Sequence, residues 1–384
     1  MSGTSLDGLD IAYCNFSIYN SKWVGKVIAA KTYKYSTAWR QKLSTVESKT
    51  ALDISKLHSE FGQFSGKKIK EFISEFNLHK EIKKENVFVS SHGHTIFHQP
   101  LGKNNKMVKE SEWKNEITPF TFQLGNGAAI ATCSDLPVVC DFRTADVALG
   151  GQGAPLVPIG DALLFSDFAY CLNIGGIANV SFEKKKTGEK NSKSQRIAFD
   201  ICPANMVLNH FANISGKEFD SGGEIAKSGK INFKLLNELN ALEFYLLNPP
   251  KSLGKEWVTK EFFPVIDNYK IHTRDKMRTL VEHIAIQIGL QLKKMPNQFF
   301  HPRATKEYNR ILVTGGGAHN KFLIQRIKAN FTFPLFIPEK KMVDFKEALI
   351  FGFLGVLRMR NEINCLSSVT GAARDNCGGA VYKP

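Results

Sequence analysis

The first ten residues, MSGTSLDGLD, combine glycines, hydroxyls and two carboxylates in one short segment. Glycine lets a backbone approach an anion closely, and successive N–H groups in such a turn can hold a phosphate. Beside a phosphate, Asp7 and Asp10 would serve mainly as ligands of a magnesium ion, directly or through water. An ordinary polar turn explains the same residues equally well, so the segment alone leaves phosphate binding open.

Two further groups of glycines follow apolar runs that are predicted to be strands. Gly175 and Gly176 separate two such runs in LNIGGIANVSF, and Gly315, Gly316 and Gly317 follow the run ILVT. Glycines at the carboxyl end of a strand, before a helix, stand where α/β folds bind nucleotides. The first pair could equally be a simple hairpin turn. The sequence has no Walker A motif, which argues against a P-loop NTPase.

Carboxylates follow two other apolar runs. Asp141 follows VVC and Asp200 follows IAF, and a carboxylate just past a buried strand usually faces a cleft, where general bases work. Aspartate is also a favoured helix N-cap. Pro203 is expected to open a helix, which makes capping a serious competitor at Asp200. Glu347 would begin an apolar helix, either as a partner of the helix dipole or as a cleft residue.

Three histidines stand close together in SHGHTIFHQP, at His92, His94 and His98. Alternation along a strand would put His92 and His94 on one face, where they could bind zinc. No third ligand stands at a typical spacing, so a hydrogen bond to a polar ligand, or packing of the loop, is the favoured interpretation.

The composition is that of a soluble globular protein, with 43% hydrophobic and 23% charged residues in 384 residues. It excludes a wholly disordered, collagen-like or coiled-coil chain, and the length favours about two domains. The longest apolar run, residues 348–357, is shorter than the roughly 20 residues that span a bilayer. Asp7 and Asp10 argue against a secretory signal. The seven cysteines form no Cys-x-x-Cys pair, which favours a reducing cytosol over a disulfide framework or zinc ribbon.

The formal net charge of +15 raises the alternative of nucleic-acid binding. The densest basic stretch, residues 183–196, lies between two predicted strands and is expected to be an exposed hairpin loop. No nucleic-acid-binding module is recognisable, and a basic surface also suits an enzyme with anionic substrates. We therefore expect neither nucleic acid nor a membrane as a partner.

Short apolar strands alternate with helices along the chain, which indicates α/β domains. Both halves begin with a strand, a turn of small residues and a second strand, which predicts two similarly built lobes. The predicted strands are 11–18, 23–35, 86–90, 136–142, 170–174, 178–182, 196–200 and 310–314, and the main predicted helices are 50–76, 204–214, 225–247, an amphipathic helix at 276–292 and an apolar helix at 343–360.

Nine segments spread over nearly the whole chain are specific in combination: MSGTSLDGLD, SHGHTIFHQP, FQLGNGAAIA, DFRTADVALGGQGAPLVP, LNIGGIANVSF, AFDICPAN, PPKSLGKEW, VTGGGAHN and SSVTGAARDNCGG. Together they resemble the anhydro-N-acetylmuramic acid kinases, which belong to the actin, hexokinase and sugar-kinase superfamily. The resemblance implies an α/β, two-lobed, actin-like (ribonuclease-H-like) ATPase fold with an interdomain cleft. Lobe one would comprise residues 1–147 and 366–384, and lobe two residues 148–365. Because the family usually has a strand before the first loop, we expect the first strand of lobe one to be truncated here.

The resemblance also implies an activity that uses ATP and Mg²⁺. Such a kinase opens the 1,6-anhydro bridge of anhydro-N-acetylmuramic acid with water and phosphorylates O6, giving N-acetylmuramic acid 6-phosphate. This reaction belongs to peptidoglycan recycling and amino-sugar metabolism in the cytoplasm. A catalytically impaired relative that binds sugar or nucleotide is the alternative, because of the truncated strand. A homodimer is left open.

Individual residues match the motifs of the family. Asp200 falls at the position of the catalytic base and is preferred over Asp141 for that reason alone, and Glu347 matches a second active-site acid. Asp7 is the expected metal ligand. His94 stands where the family usually has Gln. The expected sugar contacts are His92, Gly93, His94, Thr95 and Arg143, of which Arg143 could pair with the lactyl carboxylate. The expected ATP contacts are Gly3, Thr4, Ser5, Leu6, Asp7, Gly8, Leu9, Asp10, Gly175, Gly176, Gly315, Gly316, Gly317 and Asn320.

Overall fold

A computed structural model of the protein describes residues 1–3, 6–83, 86–100, 118–184, 195–249, 251–294, 310–331 and 333–384. Thr4 and Ser5 of the first loop lie outside these residues, as does the middle of the basic stretch, 185–194. The chain divides into two compact units. Unit 1 comprises Met1–Leu164 and Glu347–Pro384, and unit 2 comprises Phe165–Lys346. The lobe boundaries expected from the sequence stay a prediction.

Strands and helices alternate as expected for an α/β protein. In chain order the strands are β1 (Gly8–Tyr19), β2 (Lys22–Lys34), β3 (Val89–Ser91), β4 (His94–Gln99), β5 (Phe120–Leu124), β6 (Val138–Cys140), β7 (Tyr170–Ile174), β8 (Ile177–Lys184), β9 (Gln195–Pro203), β10 (Ile311–Thr314), β11 (Leu335–Phe336) and β12 (Ala380–Tyr382). The helices are α1 (Thr37–Ser44), α2 (Ala51–Glu75), α3 (His79–Ile82), α4 (Gly127–Ser134), α5 (Thr144–Ala148), α6 (Val157–Leu164), α7 (Asn205–Ile214), α8 (Glu224–Ser228), α9 (Phe233–Asn240), α10 (Lys255–Trp257), α11 (Phe263–Asp267), α12 (Thr273–Lys294), α13 (Lys321–Asn330), α14 (Lys340–Met359) and α15 (Ser367–Thr370).

The described residues of unit 1 form three small groups of paired strands, here called ladders. β1 and β2 form a long antiparallel hairpin, and β4 pairs antiparallel with β5. β3 lies parallel to β6, which pairs antiparallel with β12. Ser2 joins the first two ladders, because it forms an antiparallel bridge with Leu9 and a parallel bridge with His94. The apolar side chains of this unit pack beneath α2, whose buried face includes Leu57, Phe61 and Phe72.

Unit 2 is built on one five-stranded sheet in the order β11-β10-β7-β8-β9. β7, β8 and β9 are successive antiparallel strands, whereas β10 and β11 are added parallel to β7 on its other side. This order confirms the expected ribonuclease-H-like arrangement. The run YCLNI of β7 is almost wholly buried because it lies at the centre of the sheet.

Three expected elements differ from the structure. The helix predicted over 225–247 is interrupted, since α8 ends at Ser228 and α9 begins at Phe233. β9 continues past Asp200 through Pro203, so that proline ends a strand and does not open a helix. The helix predicted over 343–360 begins earlier, as α14 at Lys340, and non-helical dihedral angles at Phe345 interrupt it, so Glu347 lies in the first turn of the apolar part that follows. Among the described residues, every helix is too short or too polar to cross a lipid bilayer.

α12 is confirmed as a helix, but the expectation that it is amphipathic is wrong. It contacts α7, α8, α9, α13 and β9, so it is buried on most sides, polar positions included. Glu282, on this helix, accepts hydrogen bonds from Arg278, Arg326 and Asn330 at 2.8–3.3 Å. Burial alone would raise the pKa of Glu282, but these donors outweigh it and lower the pKa to about 2. The cluster therefore fixes α13 to α12.

Glu282→Gln should weaken the pH dependence of the free energy of unfolding at acidic pH. A carboxylate whose pKa is depressed by folding stabilises the native state above its unfolded pKa and loses that effect as the pH falls through the folded pKa. The window runs from about pH 4.5 down to about 2. We expect the thermal midpoint of the variant to be lower at pH 7 and to depend less on pH across this window. Glu71→Gln, which removes an exposed pair with Lys68, is the control; equal slopes in both variants would contradict the assignment.

Candidate functional site

The turn at Gly175 and Gly176 in unit 2 is held by the start of α7. The backbone N–H of Asn205 donates to the carbonyl of Gly175 at 3.0 Å. The N–H groups of Ala204 and Met206 donate to the carbonyl of Gly176 at 2.8 and 3.1 Å. The turn is therefore fixed by three hydrogen bonds and is more than a simple hairpin connection.

The glycines after β10 pack against the residue that precedes this turn. Gly315 has a φ of +82°, and a Cβ there would lie 2.6 Å from Asn173 Oδ1 and 2.7 Å from the carbonyl oxygen of Ile174. A Cβ on Gly317 would lie 2.3 Å from Ile174 Cγ2. The Asn205 Nδ2 also donates to the Ile174 carbonyl at 3.0 Å. Two of the three glycine bends predicted from the sequence thus meet at Ile174.

Asn320 closes the second bend by capping α13. Its Oδ1 accepts from the N–H of Leu323 at 2.9 Å, so its observed contact is structural and its contact with ATP stays a prediction. Gly223 packs on Asn320, because a Cβ there would lie 2.3 Å from Asn320 Oδ1. Gly222 and Gly223 both have positive φ. This neighbouring turn is absent from the predicted elements, although the adjacent glycines in DSGGE indicate it.

Asp200 lies on β9, in the interior of the strand and not at a helix N-cap. Its Oδ2 accepts from the backbone N–H of Leu253 at 2.8 Å, and its own N–H donates to the carbonyl of Lys251 at 2.9 Å. Ile177 pairs with Pro203, and Asn179 with Asp200. Since an antiparallel strand rises about 3.4 Å per residue, Asp200 lies about 10 Å along β9 from the glycine turn.

The segment that orients Asp200 is anchored by a buried lysine. Lys251 donates from Nζ to the carbonyl of Phe244 at 3.0 Å and lies 4.4 Å from the centre of the Phe244 ring. Burial lowers the pKa of this amine. Residues 251–253 of the motif PPKSLGKEW therefore supply a backbone donor, the Leu253 N–H, for the Asp200 carboxylate.

Asp141, the other carboxylate after a strand, has a local role. Its Oδ1 accepts from the hydroxyl of Thr144 at 2.5 Å and from the Thr144 N–H at 3.4 Å. Because both donors lie three residues further along, Asp141 stabilises the turn into α5. Asp141 therefore contacts the first residue of α5 without occupying its N-cap position, which is Arg143, whereas Asp200 is held by a segment distant in sequence.

The first loop, in unit 1, is anchored at Ser2. The Ser2 hydroxyl lies 2.7 Å from the Tyr35 hydroxyl and 2.9 Å from His94 Nδ1. His94 is only 3% exposed, and burial lowers its pKa. Its observed contact therefore positions the loop, and contact with a sugar stays a prediction. Further along, Leu6 has a φ of +58°.

The two carboxylates of the first loop differ in their surroundings. Asp10 accepts from the Thr32 hydroxyl at 2.5 Å. The side chain of Asp7 is exposed and forms no hydrogen bond or ion pair with another residue that the structure describes. Carboxylate oxygens are preferred ligands of Mg²⁺. Asp7 is therefore the better placed of the two to bind a cation.

Arg143 and His92 form a buried pair in unit 1. The Arg143 Nη2 and Nε lie 2.8 and 3.2 Å from His92 Nε2, and Nη1 donates to the carbonyl of Gly153 at 2.6 Å. Arginine can only donate, so His92 Nε2 must accept and the proton lies on Nδ1, which donates to the Gly93 carbonyl at 3.0 Å. Burial and the arginine hold the pKa of His92 well below its usual value.

Glu347 belongs to the same neighbourhood. Burial lowers the pKa of Arg143 to about 10, and the Glu347 carboxylate opposes that shift. The ring of Phe351, one turn further along α14, packs edge-on against His92 at 4.6 Å between centroids. Unit 1 thus brings together three predicted site residues, His92, Arg143 and Glu347.

Asp146 is a buried carboxylate that holds the loop around Gly153 by hydrogen bonds. It is fully buried and accepts from the N–H of Gly153 at 2.8 Å, the residue whose carbonyl binds Arg143. It also accepts from Thr370 Oγ1 at 2.8 Å and Asn376 Nδ2 at 3.0 Å. The C-terminal segment is thereby tied to the loop that orients Arg143. This role of Asp146 could not be predicted from the sequence, because its donors lie 224 and 230 residues away.

The zinc alternative for the histidines has no geometric support. His92 and His94 do not share a strand, since Gly93, with a φ of +75°, separates β3 from β4. Within the described part of the chain, no three histidine, cysteine, aspartate or glutamate side chains form a group that could hold a metal. Thr95 lies on β4 opposite Gln123, and its contact with a sugar stays a prediction.

Several known proteins are similar to this chain over most of its length. The anhydro-N-acetylmuramic acid kinase family matches residues 1–384. The anhydro-N-acetylmuramic acid kinase of Mannheimia succiniciproducens is 32% identical, over 100% of this chain and 97% of its own. That of Francisella tularensis subsp. novicida is 32% identical, over 97% and 94%. Hexokinase from Schistosoma mansoni, solved with glucose, is 10% identical with a TM-score of 0.35, over 90% and 84%.

The family model matches residues 1–384, and the relative from Mannheimia succiniciproducens matches 100% of the chain. A match over the whole length includes both units and every segment that carries a predicted site residue. This chain therefore belongs to the anhydro-N-acetylmuramic acid kinase family and is a kinase.

Proposed function

We propose that this kinase opens the 1,6-anhydro bridge of anhydro-N-acetylmuramic acid with water and transfers the γ-phosphoryl group of ATP to O6. The observation that carries the proposal is the meeting of two glycine bends at Ile174, beside the strand that bears Asp200. Two backbone turns fit a nucleotide's phosphates, and the carboxylate fits a general base. The family relationship is the reason for proposing this sugar as the substrate. Neither that relationship nor the described contacts favour a catalytically impaired relative.

Asp200 is the proposed base. Its carboxylate takes a proton from water as the water oxygen bonds to C1 and the C1–O6 bond breaks. The N–H of Leu253 donates to one carboxylate oxygen of Asp200, which fixes the orientation of the carboxylate. The departing O6 then attacks the γ-phosphorus and displaces ADP. One water, one sugar and one ATP give N-acetylmuramic acid 6-phosphate, ADP and a proton.

The phosphoryl transfer needs positioning and neutralisation of charge more than covalent help from the protein. The bends at residues 175–176 and 315–317 would hold the nucleotide in unit 2. Asp7 fits a magnesium ion, because its exposed carboxylate is not engaged by another described residue. The metal would neutralise phosphate charge when bound. We assign Asp7 to that ion and the remaining residues of the first loop to ATP.

Arg143 is the proposed anchor for the lactyl carboxylate. His92 and Gly153 engage three of its five N–H groups. These contacts fix the plane of the guanidinium, and two N–H groups remain to donate to a carboxylate in the planar fork that arginine favours. A neutral His92 adds no second positive charge. Selectivity for muramic over glucosamine sugars would follow from this fork.

Arg143→Lys should remove that selectivity, because an ammonium group keeps the charge and loses the fork. We expect kcat/KM for anhydro-N-acetylmuramic acid to fall about 10- to 100-fold, the worth of one or two charge-assisted hydrogen bonds. The value for 1,6-anhydro-N-acetylglucosamine, which lacks the lactyl group, should change much less. Steady-state kinetics with both sugars measure this. An equal loss for both would mean that Arg143 serves the fold alone.

The hydrolytic step is tested by isotope labelling. In H₂¹⁸O the product should carry ¹⁸O at C1 and none at O6, as measured by mass spectrometry before anomeric exchange. Parallel assays should use other anhydro- and free sugars and omit ATP or Mg²⁺ in turn. Unlabelled C1, or faster turnover of a free sugar, would overturn the proposed reaction.

The product is a phosphorylated amino sugar derived from the cell wall. The proposed role is therefore peptidoglycan recycling, in the cytoplasm, where the ATP that the reaction consumes is available. The homodimer left open by the sequence is tested by light scattering of the purified protein.

A further inference from the structure

Residues 251–253 lie along β9, which is the last strand at one edge of the unit 2 sheet. The Asp200 N–H donates to the carbonyl of Lys251 at 2.9 Å, and the Leu253 N–H donates to Asp200 Oδ2 at 2.8 Å. The first hydrogen bond fixes the backbone of Asp200 and the second fixes its carboxylate. The orientation of that carboxylate therefore depends on where residues 251–253 are held.

The side chain of Lys251 holds this segment from the interior of unit 2. Lys251 is only 5% exposed. Its Nζ donates to the carbonyl of Phe244 at 3.0 Å and lies 4.4 and 5.9 Å from the ring centres of Phe244 and Tyr245. Aromatic faces attract a cation. These contacts tie residues 251–253 to Phe244 and Tyr245.

A buried charge is an expensive way to make such a tie. Taking an ammonium group out of water costs free energy, and replacement of buried charged groups by well-packed apolar ones is often neutral or stabilising. Methionine, which has a similar length, would fill the same space without that cost. The fold alone therefore does not account for a lysine at position 251.

Tyr245 is held in turn by a buried histidine of α12. The Tyr245 hydroxyl lies 2.8 Å from His283 Nε2, and His283 Nδ1 lies 2.7 Å from Asn240 Oδ1. The same Oδ1 accepts from Gln287 Nε2 at 2.9 Å. Because an amide oxygen can only accept, the proton lies on His283 Nδ1, and Nε2 accepts from Tyr245. Burial lowers the pKa of His283 to about 3, so the ring stays neutral.

We propose that Lys251 and Tyr245 are positioning residues, which fix the Asp200 carboxylate relative to α12. The hydrogen bonds run in series from His283 to Tyr245, from the adjacent Phe244 carbonyl to Lys251, and from residues 251–253 to the carboxylate. This inference rests on the proposed role of Asp200 as the base. Loss of either side chain should slow proton abstraction and leave the binding of sugar and ATP intact.

The test uses Tyr245→Phe, which removes only the hydroxyl, and Lys251→Met, which keeps the length and removes the charge. In both variants we expect amide hydrogen exchange of Leu253 to become about tenfold faster or more. We expect kcat to fall about 10-fold with both KM values unchanged, because a displacement of about 1 Å can cost about 100-fold. Since the two residues act in series, the double variant should lose no more than Lys251→Met alone.

Thr279→Val is the matched control, because it removes another buried polar contact of α12. The Thr279 hydroxyl donates to the Asp275 carbonyl at 2.7 Å and accepts from the Asn232 N–H at 2.9 Å. This variant should lower Tm and leave kcat and the exchange of Leu253 unchanged.

Four results would overturn the proposal. They are unchanged exchange of Leu253, a rise in KM in place of a fall in kcat, additive losses in the double variant, and an equal loss of kcat in Thr279→Val. The exchange of Leu253 is measured without ATP or sugar. It therefore fails or succeeds separately from the proposed reaction, which Asp200→Asn tests.

Discussion

Asp200→Asn should abolish sugar phosphorylation and leave ATP binding almost unchanged. Asparagine keeps an oxygen that can accept from the Leu253 N–H, so the local structure should survive. It cannot take a proton from water, and a positioned general base typically contributes about 10²- to 10⁴-fold to a rate. We expect kcat to fall by about that factor, with the affinity for ATP within a few-fold of wild type.

The measurements are a coupled ADP-release assay for turnover and calorimetric titration for ATP. Asp141→Asn is the matched control, because Asp141 also follows a buried strand and its side-chain hydrogen bonds to described residues are with Thr144. It should retain turnover. Persistent turnover in Asp200→Asn would assign the base elsewhere, and a loss of ATP binding would give Asp200 a structural role.

Gly315→Ala should have the second largest effect, on nucleotide affinity. The φ of +82° strains any side chain there, and the new Cβ would meet Asn173 Oδ1 and the Ile174 carbonyl at 2.6 and 2.7 Å. The bend must move away from Ile174, where it meets the turn at residues 175–176. Displacement of a binding loop by about 1 Å can cost about 100-fold, so we expect the KM for ATP to rise on that scale.

Gly216→Ala is the control for Gly315→Ala, because it introduces backbone strain without a steric clash. Gly216 also has a positive φ, of +74°, but a Cβ there would meet nothing within 4 Å. It should lower the thermal midpoint slightly and leave the KM for ATP unchanged. If Gly315→Ala behaved in the same way, the bend after β10 would not hold the nucleotide.

The strands and the glycine bends could be predicted because their signals are local. β7 and β10 are short apolar runs that end in glycine, and such runs indicate buried strands whatever surrounds them. The end of β9 could not be predicted in this way. Pro203 resembles a helix start in sequence, but it lies at the last position of a strand, where the absent N–H is tolerated.

Contacts between residues that are distant in sequence could not be predicted either. The periodicity of α12 indicated one apolar face, yet several helices surround it, so its polar residues are buried as well. The pairing of His92 with Arg143 spans 51 residues, and no spacing rule connects them. Sequence motifs located both side chains through the family resemblance, whereas the proton position on His92 required the geometry.

The buried Asp146 carboxylate imposes an order on biosynthesis. A ribosome releases residues in sequence, and domains form as their parts emerge. Two donors to Asp146, Thr370 and Asn376, lie 224 and 230 residues after it and emerge much later, and burying the carboxylate without them is costly. The loop that orients Arg143 therefore matures only after residues 370–376 have emerged, later than the glycine bends of unit 2 at residues 175–176 and 315–317.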